Sequence, residues 1–129
     1  PLCVVRRGRS SAVRQMLHYV PDAARAVEQA RARGALAHLL GPVTSKAEAL
    51  DAIGSALDFP AWYGRNLDAL HDCLADLSWQ PIGEHVLIWT GHRQLETADP
   101  TGYRAILEVL DATSNVNPQR PLSILLAGT

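Results

Sequence analysis

Asp68, Asp72 and Asp76 recur at every fourth position of the segment Asn66-Leu67-Asp68-Ala69-Leu70-His71-Asp72-Cys73-Leu74-Ala75-Asp76-Leu77. On a helix that spacing stacks three carboxylates along one face. Leu67, Leu70, Leu74 and Leu77, with Cys73 beside them, form a second stripe that must face a core. Aspartate is a poor helix-interior residue, and each like-charge i,i+4 pair costs about 0.2–0.5 kcal/mol. Asp68 gains from the first turn, whereas Asp76 lies near the wrong end of the macrodipole. A helix selected for stability alone would carry Lys or Arg in one of these slots, and none does. Just ahead lie Trp62 and Tyr63, with Gly64, whose missing side chain lets another chain approach closely. Aromatic anchors beside charges that choose a partner have the make-up of a protein–protein interface. The plainer reading is a solvated acidic face, with at least one of Trp62 and Tyr63 partly buried in the core.

Other chemistries fit these residues less well. Asp68 and Asp72 could act as an acid–base pair with His71. However, the sequence offers no nucleophile motif and no glycine-rich phosphate loop, so an enzyme is not expected. A metal site from His71, Asp68 and Asp72 with His85 or His92 matches no ligand template, so neither metal nor other cofactor is expected. Arg6, Arg7, Arg9 and Arg14 leave room for nucleic-acid binding with a steep salt dependence. A solvated basic terminus explains them more simply, and direct nucleic-acid binding is not expected.

The elements that would position the acidic helix follow from pattern. Residues 35–40 are short and apolar enough for a buried strand, closed by Gly41-Pro42. Ser45-Lys46-Ala47-Glu48 is a capping box, and Ala47, Leu50, Ile53 and Leu57 give the helix behind it one core face. Phe59-Pro60 ends that helix. The acidic helix then runs over residues 67–77 with Asn66 as its cap. Residues 85–89 read as a buried strand. Asp99-Pro100 starts a helix whose stripe is Tyr103, Ile106, Leu107 and Leu110. Pro121 precedes a terminal strand at 122–126. Further forward, residues 21–34 read as an alanine-rich helix, residues 2–6 as a short strand and residues 11–19 as a helical turn or two. Strands alternating with helices imply an α/β fold with a parallel sheet of three strands and an optional N-terminal fourth.

Composition sets the frame. A chain of 129 residues that is 47% hydrophobic and 19% charged is one globular domain's worth of sequence. Two separated cysteines, Cys3 and Cys73, form no disulfide framework, which points to a reducing cytoplasm. Cys73 reads as a buried small hydrophobe. No apolar stretch suits a signal peptide or a membrane span. Residues 1–34 carry seven arginines against Asp22 and Glu28, a balance of +5, while residues 35–129 balance at −6. An acidic main body suggests a cationic partner. The expected organisation is a basic, partly helical extension over 1–34, packed on a domain spanning 35–129.

Residues 60–74, Pro-Ala-Trp-Tyr-Gly-Arg-Asn-Leu-Asp-Ala-Leu-His-Asp-Cys-Leu, resemble the barstar family, inhibitors of the ribonuclease barnase. The pattern aromatic-Tyr-Gly-x-Asn-Leu-Asp-Ala-Leu-x-Asp-Cys-Leu is long and specific. Asp76-Leu77-Ser78-Trp79 resembles a longer subgroup of the same family, and with the flanking elements the resemblance covers about residues 35–129. It implies a three-stranded parallel sheet covered by helices, and a helix with its preceding loop inserted into a ribonuclease active site. It also implies that Asp72 is the central carboxylate, in the place of a substrate phosphate, with Asp68 as second acid. Trp62 takes the position of an aromatic that packs on the enzyme's catalytic histidine, and Gly64, Asn66 and Leu67 surround them.

Three departures accompany the resemblance. His71 stands where the family has tryptophan, and Leu77 replaces another aromatic. A late acidic contact falls on Ala112, with Asp111 one residue away and so turned about 100° around its helix. Asp76 and Asp111 are the secondary candidates for partner contact. The implied function is inhibition of a basic ribonuclease, barnase-like or another toxin, by a cytoplasmic monomer forming a 1:1 complex. An immunity protein for a different toxin, or a general interaction module, is the alternative.

Overall fold

A strand that is apolar on both faces needs cover on both faces, and Val86-Leu87-Ile88-Trp89, all fully buried, dictates the architecture for that reason. A computed structural model describes residues 17–128. Its elements are β1 (Leu17–Val20), α1 (Ala23–Ala32), β2 (Leu36–Leu40), α2 (Lys46–Ala56), α3 (Leu67–Asp76), β3 (His85–Thr90), α4 (His92–Ala98), α5 (Pro100–Thr113) and β4 (Leu122–Ala127). All strand pairings are parallel, in the order β1-β4-β3-β2. The fold is α/β. Among the described residues no helix is long and apolar enough to cross a membrane.

Successive side chains of a strand point to opposite faces. Leu87 and Trp89 join Leu40, Ile124 and Leu126 in the larger core, under Leu50 and Ile53 of α2, Leu70 and Leu74 of α3, and Ile106 and Leu110 of α5. Val86 and Ile88 face the other way, onto Ala23, Ala26 and Ala30 of α1. Alanine on the buried stripe of α1 lets its backbone approach the sheet closely. Each buried Leu or Ile contributes roughly 1.5–3 kcal/mol, so the larger core dominates stability and fixes α3 from behind.

The helix starts carry the caps that the sequence advertises. Ser45 Oγ accepts from the Glu48 amide at 3.1 Å, and the Glu48 carboxylate reaches back to the amide and hydroxyl of Thr44, both at 2.8 Å. Asp99 Oδ1 accepts from the Gly102 amide at 3.0 Å, ahead of Pro100 at the first position of α5.

Several sequence expectations need correction or lie out of reach. Leu17, His18 and Tyr19 are strand, not helix, because β4 offers Ile124, Leu125 and Leu126 as ladder partners. The rest of the helical turn placed at 11–19, the strand placed at 2–6 and the four forward arginines lie outside the described residues. Ala47 is exposed, and Ala49 takes its place on the core face of α2. Helix α4 had no sequence signal: it spans seven residues and has no side-chain cap. It begins at Gly91, where φ is +65° and an added Cβ would lie 2.7 Å from Pro42 Cβ.

Candidate functional site

Helix α3 is buried along Leu70, Cys73 and Leu74 and open along its acidic face. Asp68, Asp72 and Asp76 are all exposed. The Asp72 side chain is 80% exposed, and its Oδ1 lies 4.0 Å from His71 Nδ1, a contact that is ionic only when the imidazole is protonated. Among the described residues no Lys or Arg pairs with any of the three. Asp76 accepts a hydrogen bond from Ser78 Oγ at 3.1 Å. The acids thus stand side by side without internal neutralisation, which is the condition for offering them to an external cation.

Both ends of α3 are tied. Asn66 Oδ1 accepts from the Ala69 amide at 2.8 Å, and Arg65 before it takes a left-handed backbone with φ +55°. At the far end buried Leu77 is left-handed too, φ +51°, and Asn117 Nδ2 donates to the Asp76 carbonyl at 2.6 Å. Gly64 is exposed, and a Cβ there would lie 3.2 Å from Asn66 Nδ2, so a larger residue would press on the cap. Leu67 is half-buried against the core.

The loop ahead of α3 divides its two aromatics between tasks. Tyr63 is half-buried: its hydroxyl donates to the Leu50 carbonyl at 3.0 Å and its ring meets Phe59 edge-on at 4.8 Å. Burial pushes the Tyr63 phenol up to about 12, helped by the electrostatic influence of Cys73 and Asp51, so it stays a neutral donor. Trp62 is 65% exposed and touches the protein through an edge contact with Trp79 at 6.4 Å. Trp79 is itself anchored, donating Nε1–H to the Leu57 carbonyl at 2.9 Å. Tyr63 therefore holds the loop and Trp62 is presented by it. Beside the loop an open groove of about 620 Å³ is lined by Phe59, Pro60 and Tyr63 together with Asp51, Asp58 and Arg65.

The remaining candidates are scattered. Asp111 is half-buried with Oδ1 inside, whereas Ala112 beside it is exposed. Cys73 is a free, buried thiol whose pKa is raised by burial and then by Asp72 and Asp76. His85 is fully buried, with Nε2 2.8 Å from the Pro81 carbonyl and Nδ1 3.0 Å from His38 Nε2. The carbonyl can only accept, so Nε2 carries the His85 proton and Nδ1 accepts from His38. His92 is buried with Nδ1 2.8 Å from the Tyr103 hydroxyl. Both histidines are thus engaged away from α3. Among the described residues no group of three or more His, Cys, Asp or Glu is arranged to hold a metal ion.

Three contributors were not singled out from sequence. Phe59 reads locally as a helix terminator and Arg65 as a spacer, while Asp51 carries no local signal of a role. Arg65 had one available signal: it is the sole Lys or Arg between Lys46 and Arg93.

No curated protein is similar enough to count as a match. The family model for barstar, described as the barnase inhibitor, matches residues 36–127, a span that takes in β2, the acidic helix with its aromatic loop, β3, α4, α5 and β4. The chain belongs to the barstar family.

Proposed function

We propose that this chain inhibits a microbial ribonuclease by setting Asp68, Asp72 and Trp62 into the enzyme's catalytic cleft. The observation that carries the reading is the pair Asp68 and Asp72, exposed and unneutralised, on a helix packed from behind by Leu70 and Leu74. A ribonuclease cleft gathers Arg, Lys and His to hold phosphate. Carboxylates held rigidly at that spacing satisfy the same donors through charge-assisted hydrogen bonds and exclude substrate by occupancy. Trp62 adds an apolar anchor at little entropic cost, since its loop is already pinned by Tyr63 and Trp79. The attraction between acidic face and basic cleft speeds encounter, more so at low salt.

The partner in this reading is a basic nuclease, barnase-like or a toxin of another lineage, bound 1:1 by a monomer in the cytoplasm. The buried free thiol of Cys73 suits that compartment. His71 and Ala112, both exposed, depart from the family pattern, and for that reason a non-ribonuclease toxin is the second reading. The test is calorimetric titration and an RNA-cleavage assay against barnase and basic nucleases from the source secretome. Asp72→Ala is expected to cost about 2–5 kcal/mol of affinity, mainly through faster dissociation. Equal binding by wild type and Asp72→Ala would remove Asp72 from the mechanism.

A further inference from the structure

Between Lys46 and Arg93 the chain carries seven acidic residues and a single arginine, Arg65. That arginine lies in the chain between Trp62 and Asp68 and lines the groove beside Tyr63. Its Nε lies 2.9 Å from Asp51 Oδ1, yet the side chain remains 73% exposed. Local stability does not account for it. The position has φ +55°, which favours Gly or Asn over a branched-out cationic side chain. It immediately precedes the cap of α3, where the helix dipole favours an anion. An exposed pair such as Arg65–Asp51 returns little stability. On a face meant for a cationic partner, an unburied guanidinium also repels.

We propose that Arg65 is a specificity-determining residue: it selects nucleases that set a carboxylate opposite it and discriminates against those whose cleft rim is basic throughout. Asp51 holds the guanidinium at the mouth of the groove beside Tyr63, so the cation is presented at a fixed place. Specificity is a difference of affinities, and a misplaced like charge is an effective way to produce it. This inference rests on the ribonuclease-inhibitor reading, and its test separates the two.

Barnase is the probe, with association measured by stopped flow and affinity by calorimetry. The proteins are wild type, Arg65→Glu, Arg65→Gln and, as reference, Asp72→Ala and Arg25→Glu. Arg25→Glu makes the same change of net charge on α1, across the sheet. Arg65→Glu is expected to bind barnase on the order of three- to tenfold faster than wild type at low ionic strength, with Arg65→Gln between them and the gap closing in high salt. In a set of barnase variants with each cleft-rim Lys changed to Glu, at least one should bind wild type more tightly than barnase does, and lose that gain against Arg65→Glu. The proposal is overturned if Arg65→Glu binds no faster, if Arg25→Glu gives the same acceleration, if no rim variant couples to Arg65, or if neither form binds. Binding that responds to Asp72→Ala but not to Arg65 removes this inference alone. Binding indifferent to Asp72→Ala removes the underlying reading as well.

Discussion

Trp62 and Tyr63 are neighbours in sequence with opposite duties, and substitution should separate them. Trp62→Ala removes an exposed ring that is in edge contact with Trp79. The melting temperature should hardly move, while affinity for the nuclease falls by about 2 kcal/mol, as for a truncated aromatic anchor. Tyr63→Phe deletes the donor to the Leu50 carbonyl. Here stability should drop by about 1 kcal/mol in denaturant melts, with a smaller change in affinity. A stability loss for Trp62→Ala as large as that for Tyr63→Phe would show that both rings belong to the scaffold. The acids follow the same logic: with no internal cation on Asp68 or Asp72, neutralising either should leave folding unharmed.

At the scale of elements, α2 and the aromatic loop meet at Gly54, where an added Cβ would come within 3.0 Å of the Tyr63 ring. Gly54→Val should therefore destabilise by about 1–3 kcal/mol and displace Trp62, weakening nuclease binding more than its stability loss alone explains. Melts and titrations on the one variant check both. Elements of this kind were legible in sequence where a local signal and the tertiary outcome agree. The capping residues Ser45, Asn66 and Asp99 each mark a helix start that the structure keeps. The strands at 85–90 and 122–127 stand out because they lie at the centre of the sheet and are largely apolar, whereas the strand at 36–40, read as buried, is an edge strand with Leu36 and Leu39 exposed. What escaped notice depends on distant partners. Strand β1 exists because the edge of β4 accepts it, and α4 rests on His92 and Leu95 being buried rather than on any periodicity. In the site, the row of acids and the presence of aromatics were readable from spacing. Which aromatic turns outward was not, since Phe59 and Trp79 decide it from either side of α3.

The whole molecule carries a pH dependence that its charge balance does not suggest. Burial, followed by the neighbouring His85, holds the His38 pKa below its ordinary 6.5. Burial and then Arg93 act likewise on His92. With the folded pKa below the unfolded one, the unfolded chain takes up more protons as acid is added. Stability is thus full above about pH 6.5 and is lost as pH falls from there toward the folded values. Thermal melts from pH 7.5 to 5 should show the decline, and His38→Gln combined with His92→Gln should flatten it. An equal decline in that double variant would remove both imidazoles as its source, since Glu84, whose pKa the hydrogen bond from Arg33 depresses, loses its contribution only below about pH 4.5. On the far face of the sheet, Ala30→Leu should cost about 1–3 kcal/mol, since Ala30 on the inner side of α1 is fully buried against Val86 and Ile88.

Helices α1 and α3 pack on opposite faces of one sheet. The molecule accordingly has a back as well as a front. A cysteine introduced at exposed Gln29 on α1, with Cys3 replaced by serine and Cys73 shielded inside, would tether the protein to a sensor surface with its acid row turned toward the sample, ready to capture a nuclease from solution.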